Sequence, residues 1–404
     1  MLPAATTSTL PVMAFIPIMA NMSMPRILYI EPFDGGSHAA FTRNLTGSVD
    51  AEWTILTMPG RHWKWRMRGS AVQFALQHEE QLRRPHDLLF ASSFLPLAEF
   101  VGLVPELAQT PRILYFHENQ AAYPSREEFS GERDLHFIFT QLTSCLAADR
   151  CLFNSEHNLS SMLTEGGRLL RRMPDGIPDT WIDAIAQRSE IIPVLVDLDD
   201  GADGIKDLPP GNQRDDGPVI LWNHRWEHDK QPEVFFAALS CLIDRGVTFR
   251  VCVCGQAYRE IPGVFDDAKA MLGSRVVHWG EARSRAEYLD LLARSQIAVS
   301  TAGHEFFGMA MIEATHAGVR PLVPDRLSYP EIFPRDFRYT TDMDLADQLE
   351  SLCRRWNSGD IDLRENRRQL TSSYSIAALS TRYSELFDEL IHQAGAVARP
   401  SVSS

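Results

Sequence analysis

The chain has 404 residues, 44% of them hydrophobic, which exceeds one ordinary core and favours two domains of about 150 to 200 residues. Its formal net charge of −14 excludes a generally basic nucleic-acid binder, so any nucleic acid must be met by a local patch. Cys145, Cys151, Cys241, Cys252, Cys254 and Cys353 form no C-x-x-C spacing, which argues against a zinc ribbon or disulfide framework and fits buried thiols in a reducing cytosol.

Residues 1–24 contain an apolar run from Pro11 to Ala20 but no Lys or Arg before Arg26. A signal peptide wants a positive start, and the run is too short and proline-interrupted to span a bilayer. This stretch is expected to be a disordered N-terminal extension, or to precede the true start at Met22 or Met24. No later stretch reads as transmembrane, so the expected setting is cytoplasmic, with no membrane partner. The oligomeric state is left open.

From Pro25 onward apolar strands alternate with helical patterns, the signature of parallel βα units. Strands are expected at Arg26–Ile30, Trp53–Met58, Asp87–Ser93, Arg112–Phe116, Arg150–Asn154 and Ile191–Val196, making a first domain over residues 25–196. Its first βα turn, Asp34-Gly35-Gly36-Ser37-His38, lets backbone approach a ligand beside a helix start, although it is not a G-x-G-x-x-G fingerprint and equally suits a plain tight turn. Arg61-His62-Trp63-Lys64-Trp65-Arg66-Met67-Arg68 concentrates four fixed positive charges and two tryptophans in an acidic chain. That composition suits phosphates and stacked bases; the competing reading is a solvated loop with its tryptophans packed inward. His117-Glu118-Asn119-Gln120 follows the fourth strand at its carboxyl end, where open sheets place ligands.

Residues 197–217 are acidic and turn-rich, an expected linker. Asp197-Leu198-Asp199 has the form of a D-x-D metal motif, but it falls in that linker rather than after a nucleotide-binding strand. A second domain is expected over residues 218–375, with strands at Val219–Asn223, Phe249–Cys254, Val276–Trp279, Ile297–Thr301 and Pro321–Val323. Residues 376–404 should form a last helix, Ile376 to about His392, and a tail. The result is an α/β protein in which two Rossmann-like parallel sheets face each other across a cleft.

Trp222-Asn223-His224-Arg225-Trp226-Glu227-His228-Asp229-Lys230-Gln231-Pro232 opens the second domain. Pro232 suits a first helical turn, which leaves Arg225 and Lys230 in the preceding loop, where a guanidinium and an ammonium grip a diphosphate. A metal held by His224, Glu227 and His228 is disfavoured because the stretch does not read as one continuous helix. Farther on, His304-Glu305-Phe306-Phe307-Gly308 precedes a helix that Gly308 opens and Gly318 ends. Glu305 then lies at the helix start and Glu313 two turns inside, about 12 Å away at most.

Arg225-x4-Lys230 followed by Glu305-x7-Glu313 resembles the donor-site pattern of retaining GT-B glycosyltransferases of family 4. The resemblance implies Arg225 and Lys230 on the donor diphosphate, Glu313 on the ribose and Glu305 beside the donor sugar, with His304, Phe306, Phe307 and Gly308 completing that side. It also implies no metal, and no cofactor beyond the donor substrate. Longer strings bring the chain closer to one family. Glu31-Pro32-Phe33-Asp34-Gly35-Gly36-Ser37-His38, Trp63-Lys64-Trp65-Arg66, Phe90-Ala91-Ser92-Ser93, Tyr115-Phe116-His117-Glu118-Asn119-Gln120 and Tyr329-Pro330-Glu331-Ile332-Phe333-Pro334 resemble the tRNA-queuosine mannosyltransferase family.

That resemblance implies mannose transfer from GDP-mannose to queuosine in the anticodon of an aspartate tRNA. His117 and Glu118 join Glu305 as expected catalytic groups. Gly35, Gly36, Ser37, His38, Trp63, Lys64, Trp65, Arg66, Arg68 and Asn119 are expected to meet the acceptor. The N-terminal extension and the short linker depart from the family without touching a motif. Competing readings are a GT-B enzyme with another nucleotide sugar and a small-molecule, glycan or lipid acceptor, a sugar-nucleotide epimerase, or a non-catalytic binding module. Release of nucleoside diphosphate only in the presence of tRNA would separate the first reading from these.

Overall fold

Parallel strands covered by helices on both faces must be apolar along their whole length, and the central runs of this chain are. Leu88–Ser92 and Val219–Trp222 are buried at every position. In a computed structural model describing residues 24–122, 135–178, 180–198, 216–256 and 262–397, such runs build two sheets. The first contains β1 (Arg26–Asp34), β2 (Glu52–Pro59), β3 (Leu88–Ser92), β4 (Arg112–Phe116), β5 (Arg150–Phe153) and β6 (Ser189–Ile191) in the order β2-β1-β3-β4-β5-β6. The second contains β7 (Val219–Trp222), β8 (Arg250–Cys254), β9 (Val276–Gly280), β10 (Ile297–Val299), β11 (Arg320–Pro324) and β12 (Arg338–Tyr339) in the order β12-β11-β10-β7-β8-β9. All pairings are parallel.

Each strand order reverses once, between β1 and β3 in the first sheet and between β7 and β10 in the second. Connections leave such a switch point in opposite directions and open a crevice at the strand carboxyl ends. The expected motifs follow these strands: Gly35 after β1, Arg225 after β7 and Glu305 after β10.

Several boundaries differ from expectation for identifiable reasons. β1 runs on to Asp34 because Glu31, wholly buried, has its carboxylate satisfied by neighbours. The expected strand Ile191–Val196 is short, since Pro193 lacks an N–H for the ladder. The chain instead leaves the sheet, and Val196 N–H donates to the Tyr374 carbonyl at 2.9 Å. The Trp63–Arg68 stretch is not a loop but the first turns of a helix, Trp63–Gln77. β12, two residues long, has no periodicity to read. Residues 1–23 of the N-terminal extension and residues 199–215 of the expected linker, Asp199 of the D-x-D among them, lie outside the described residues.

The last helix, Ile376–Val397, returns to the first domain. Its Tyr383 and Phe387 rings pack on Phe41 and Phe90, and Tyr383 donates to the Pro193 carbonyl at 3.0 Å. The polypeptide therefore crosses between the sheets twice, along neighbouring segments joined by the Val196–Ser375 bridge. Among the described residues no helix is long and apolar enough to cross a membrane. The cysteines are free, all but Cys241 buried.

Candidate active site

Both switch points open into one cleft. Ser37, His38, His117, Glu118 and Asn154 line it from the first sheet, and Arg225, Asp229, Lys230, His304, Glu305, Phe306, Phe307, Gly308 and Met309 from the second.

On the second side a short 3-10 turn, His228–Lys230, is followed by Gln231 in the left-handed region and Pro232 at the first position of the helix Pro232–Asp244. This turn points Lys230 inward, only 7% exposed. Its ammonium donates to the His304 carbonyl at 2.8 Å and lies 3.2 Å from Asp229 and 3.3 Å from Glu305. Burial opposes the charge on Lys230, but Glu305 and then Asp229 outweigh it and raise its pKa. Burial likewise opposes ionisation of Glu305, yet Lys230, His224 and the Phe307 amide lower its pKa to about 2. Glu305 is therefore a carboxylate at neutral pH. Burial, reinforced by Lys230, pushes His224 and His304 down to about 4, so both are neutral. Gly308, the N-cap of the helix Met309–His316, adopts a left-handed φ of 89° that suits glycine. Arg225 is half-exposed, 3.2 Å from Glu227, and faces the cleft with Lys230.

Glu313 is not among the cleft-lining residues. Arg285 donates to one of its oxygens at 2.6 Å and the Tyr288 hydroxyl to the other at 3.0 Å. Asn223 in turn donates to the Tyr288 oxygen at 3.1 Å. Glu313 is thus a positioned, largely buried carboxylate rather than a solvated one. Arg285 and Tyr288 went unrecognised because nothing local in their helix, Arg285–Arg294, announces a partner 25 to 28 residues away.

On the first side Glu31 accepts from the Phe33 amide at 2.8 Å and the Ser92 hydroxyl at 2.9 Å, and lies 3.1 Å from His38 Nδ1. Burial disfavours a charged His38, but Glu31 prevails and raises its pKa. The His117 ring sits 4.0 Å from that of His38. Burial, and then the His38 charge, pushes His117 far down. The two histidines thus differ in state, one inclined to imidazolium and one neutral. His117 Nε2 is buried with no hydrogen-bond partner, which leaves it able to meet a ligand. Burial raises the pKa of Glu118, opposed by His38, Arg225 and Lys230. Glu31, the central group here, was missed as a site residue because it sits inside an apolar strand. Glu31, His38 and His117 also form the one set among the described residues whose ligand atoms, all within 4.8 Å of one another, could hold a metal. Glu31 already accepts hydrogen bonds from two other donors there.

Some expected acceptor residues serve the scaffold instead. Arg66 is 7% exposed and its guanidinium donates to the Pro59 carbonyl at 3.3 Å, so it is not presented to a phosphate. Asn119 is wholly buried, donating to Asn158 and Ser161 and accepting from the Ala122 amide. Trp63 packs on Phe137, with Lys64 over its ring. Gly35 and Gly36 shape the turn: a Cβ on Gly60 would come within 2.7 Å of Gly35 Cα, so the helix bearing Lys64, Trp65 and Arg68 begins directly against the cleft turn. Those three residues lie outside the cleft, on the adjoining surface.

The halves are also tied directly. Glu331, from the Tyr329–Pro334 motif, accepts the backbone N–H groups of Glu156 and His157 at 2.8 Å each, at the start of the first-domain helix Glu156–Leu170. His157 stacks near Phe306 across the same gap, with ring centroids 5.8 Å apart.

Two parallel sheets meeting at their switch points, with a cation pair and a paired carboxylate facing histidines across the cleft, define a GT-B glycosyltransferase. Comparisons agree on the fold. The Anabaena protein HepE in complex with UDP superposes with a TM-score of 0.65 at 14% identity, covering 90% of this chain and 100% of that one. Sucrose-phosphate synthase from Thermosynechococcus elongatus gives 0.64 at 14% identity, covering 91% and 100%. A family model described as tRNA-queuosine alpha-mannosyltransferase N-terminal matches residues 26–196, and one described as glycosyl transferases group 1 matches residues 205–371. A tRNA-queuosine alpha-mannosyltransferase of Drosophila melanogaster is 40% identical over 341 residues, 83% of this chain and 88% of that relative. This chain belongs to the tRNA-queuosine alpha-mannosyltransferase family.

Proposed function

We propose that the protein transfers mannose from GDP-mannose to a hydroxyl of the queuosine cyclopentenediol in the anticodon of an aspartate tRNA, with retention at the anomeric carbon and without a metal. The observation that carries this reading is the juxtaposition, across one cleft, of the Arg225–Lys230 cation pair beside Glu305 with the His38–His117–Glu118 wall, in a chain of this family. Arg225 and Lys230, with the amides at the nearby helix starts, neutralise the diphosphate as the bond between the sugar C1 and the phosphate oxygen breaks. Glu305, held ionised, faces the positive charge that grows on the sugar ring. Neutral His117 hydrogen-bonds a sugar hydroxyl, and Glu118 with His38 orients the acceptor. The acceptor oxygen attacks C1 from the leaving-group side, and its proton passes to the departing phosphate. Glu313, fixed by Arg285 and Tyr288, is assigned to the ribose. The reduced thiols support a cytoplasmic setting.

Labelled GDP-mannose incubated with two tRNA preparations, one containing queuosine and one unmodified guanosine, tests the reading. Label should enter only the queuosine-containing aspartate tRNA, and chelator should not abolish transfer. If some small glycan or metabolite accepts mannose while both preparations stay unlabelled, the enzyme class survives and the tRNA acceptor does not. Activity that requires a divalent cation would overturn the metal-free mechanism.

A further inference from the structure

The helix Trp63–Gln77 holds Trp65 with 59% of its surface exposed, beside the turn that enters the cleft. The ring is not loose on the surface. A Cβ on Gly69, one turn on, would lie 2.8 Å from Trp65 Cζ2 and 2.9 Å from Cη2, so the indole lies flat along the helix where Gly69 leaves room. Glycine weakens a helix interior relative to alanine, and here its bare backbone is what supports one face of the indole and leaves the other outward. Lys64, Trp65, Arg68, His136 and Phe137 line a surface hollow of about 400 Å³. Two fixed cations and an open aromatic face thus adjoin the acceptor side of a strongly acidic protein.

A nucleobase has a π-face to stack and phosphates on either side of it, and stacking on a held aromatic needs no particular base. We propose that Trp65 is the stacking platform for an unpaired base of the RNA acceptor, with Lys64 and Arg68 taking the adjacent phosphates. The platform rests on the RNA-acceptor reading above and deepens it: the tRNA is gripped at a second base, outside the cleft that receives the modified one. Trp63, packed on Phe137, is the wall behind the platform rather than a second one. Val72 and Leu76 continue an exposed apolar line on the same helix, which makes a protein partner the competing occupant. Cations and the supported ring occur together only at the end near the cleft.

Steady-state kinetics on the full chain test this. Trp65→Ala should raise KM for queuosine-containing tRNA by about 5- to 150-fold, the range of one lost base stack, while donor KM is unchanged. Trp65→Phe should keep most of the affinity. Gly69→Ala, which lifts the indole while favouring the helix, should raise Tm yet weaken tRNA binding. An unchanged tRNA KM in Trp65→Ala overturns the proposal and leaves the Trp65–Val72–Leu76 line to a protein partner. An equal rise in donor KM overturns it as well, since a platform acts on the acceptor alone. If the wild-type protein transfers nothing to tRNA, the acceptor reading has failed by itself. Binding of a fluorescent single-stranded RNA to the wild type and Trp65→Ala then decides the platform, and equal affinities overturn it.

Discussion

The two cations of the donor half sit in different surroundings, and their removal should have different consequences. Arg225 is half-exposed, so Arg225→Ala should weaken donor binding by about 1.5 to 3 kcal/mol, as for hydrogen bonds to a charged group, with little change in Tm. Lys230 is buried between Glu305 and Asp229. Lys230→Ala should lose donor binding and also about 3 kcal/mol of stability, because two largely but not wholly buried carboxylates are left without their counter-charge. Calorimetric titration with the donor and thermal unfolding of both variants separate the two effects; equal Tm losses would contradict the assignment. The same burial predicts acid sensitivity. His224 and His304 have folded pKa values of about 4 against about 6.5 in the unfolded chain. As pH falls below 6.5 the unfolded state takes up protons that the folded state refuses, so stability is lost between about 6.5 and 4. At pH 5 the loss is on the order of 2 kcal/mol for each histidine. His38 acts oppositely: its raised folded pKa contributes stability that is fully present below pH 6.5 and is lost as pH rises through the folded value. Urea unfolding at pH 7 and pH 5 should show the net decline, and His224→Asn should reduce it.

At the scale of elements, the strands were legible because burial on both faces writes continuous apolar runs, and the strand carboxyl ends then place Arg225 and Lys230 after β7, Glu305 after β10 and His117 after β4 in one cleft. What could not be read were polar groups whose partners are distant in the chain. Glu31 sits within an apolar strand and meets Ser92 61 residues later, and Arg285 finds Glu313 only through the fold. Arg66 is a different case, because a local signal existed. Once Trp63–Gln77 is taken as a helix, Arg66, Met67, Ser70, Ala71 and Phe74 fall on its buried face with helical spacing, which separates Arg66 from Lys64 and Arg68. This division is testable through salt. Lys64→Ala and Arg68→Ala should each lower the slope of log affinity against log salt for tRNA by about one where a phosphate contact is lost. Arg66→Ala should leave that slope unchanged and lower Tm, since it removes the donor to Pro59. A reduced slope in Arg66→Ala at unaltered Tm would reverse the assignment.

The whole molecule is two sheets joined by two neighbouring strands of backbone, Val196 beside Ser375, so opening and closing about this pair is the motion the connectivity permits. The proposed reaction needs the cleft closed, because Arg225 and Lys230 line it from one half and His117 and Glu118 from the other. Glu331 is placed to favour that state. Helix starts leave backbone N–H groups unsatisfied. In Glu156–Leu170 the Ser155 hydroxyl accepts from Asn158, while Glu331 reaches across the gap to take Glu156 and His157. Opening the cleft removes these two charge-assisted bonds and returns the amides to water. Glu331 remains exposed at the rim, which limits the gain to about 1 kcal/mol, or about fivefold in the ratio of closed to open forms. Glu331→Ala should therefore shift the donor-bound protein toward open forms, seen as a larger radius of gyration in solution scattering, and raise the KM of both substrates. Glu331→Gln, which keeps an accepting oxygen but no charge, should fall between the two. Because Glu331 does not line the cleft, donor binding to the closed form should be intact, and a crowding agent that favours compact forms should recover part of the loss. A Glu331→Ala protein with wild-type scattering and wild-type KM values would show that closure is held by other contacts, such as that of His157 with Phe306.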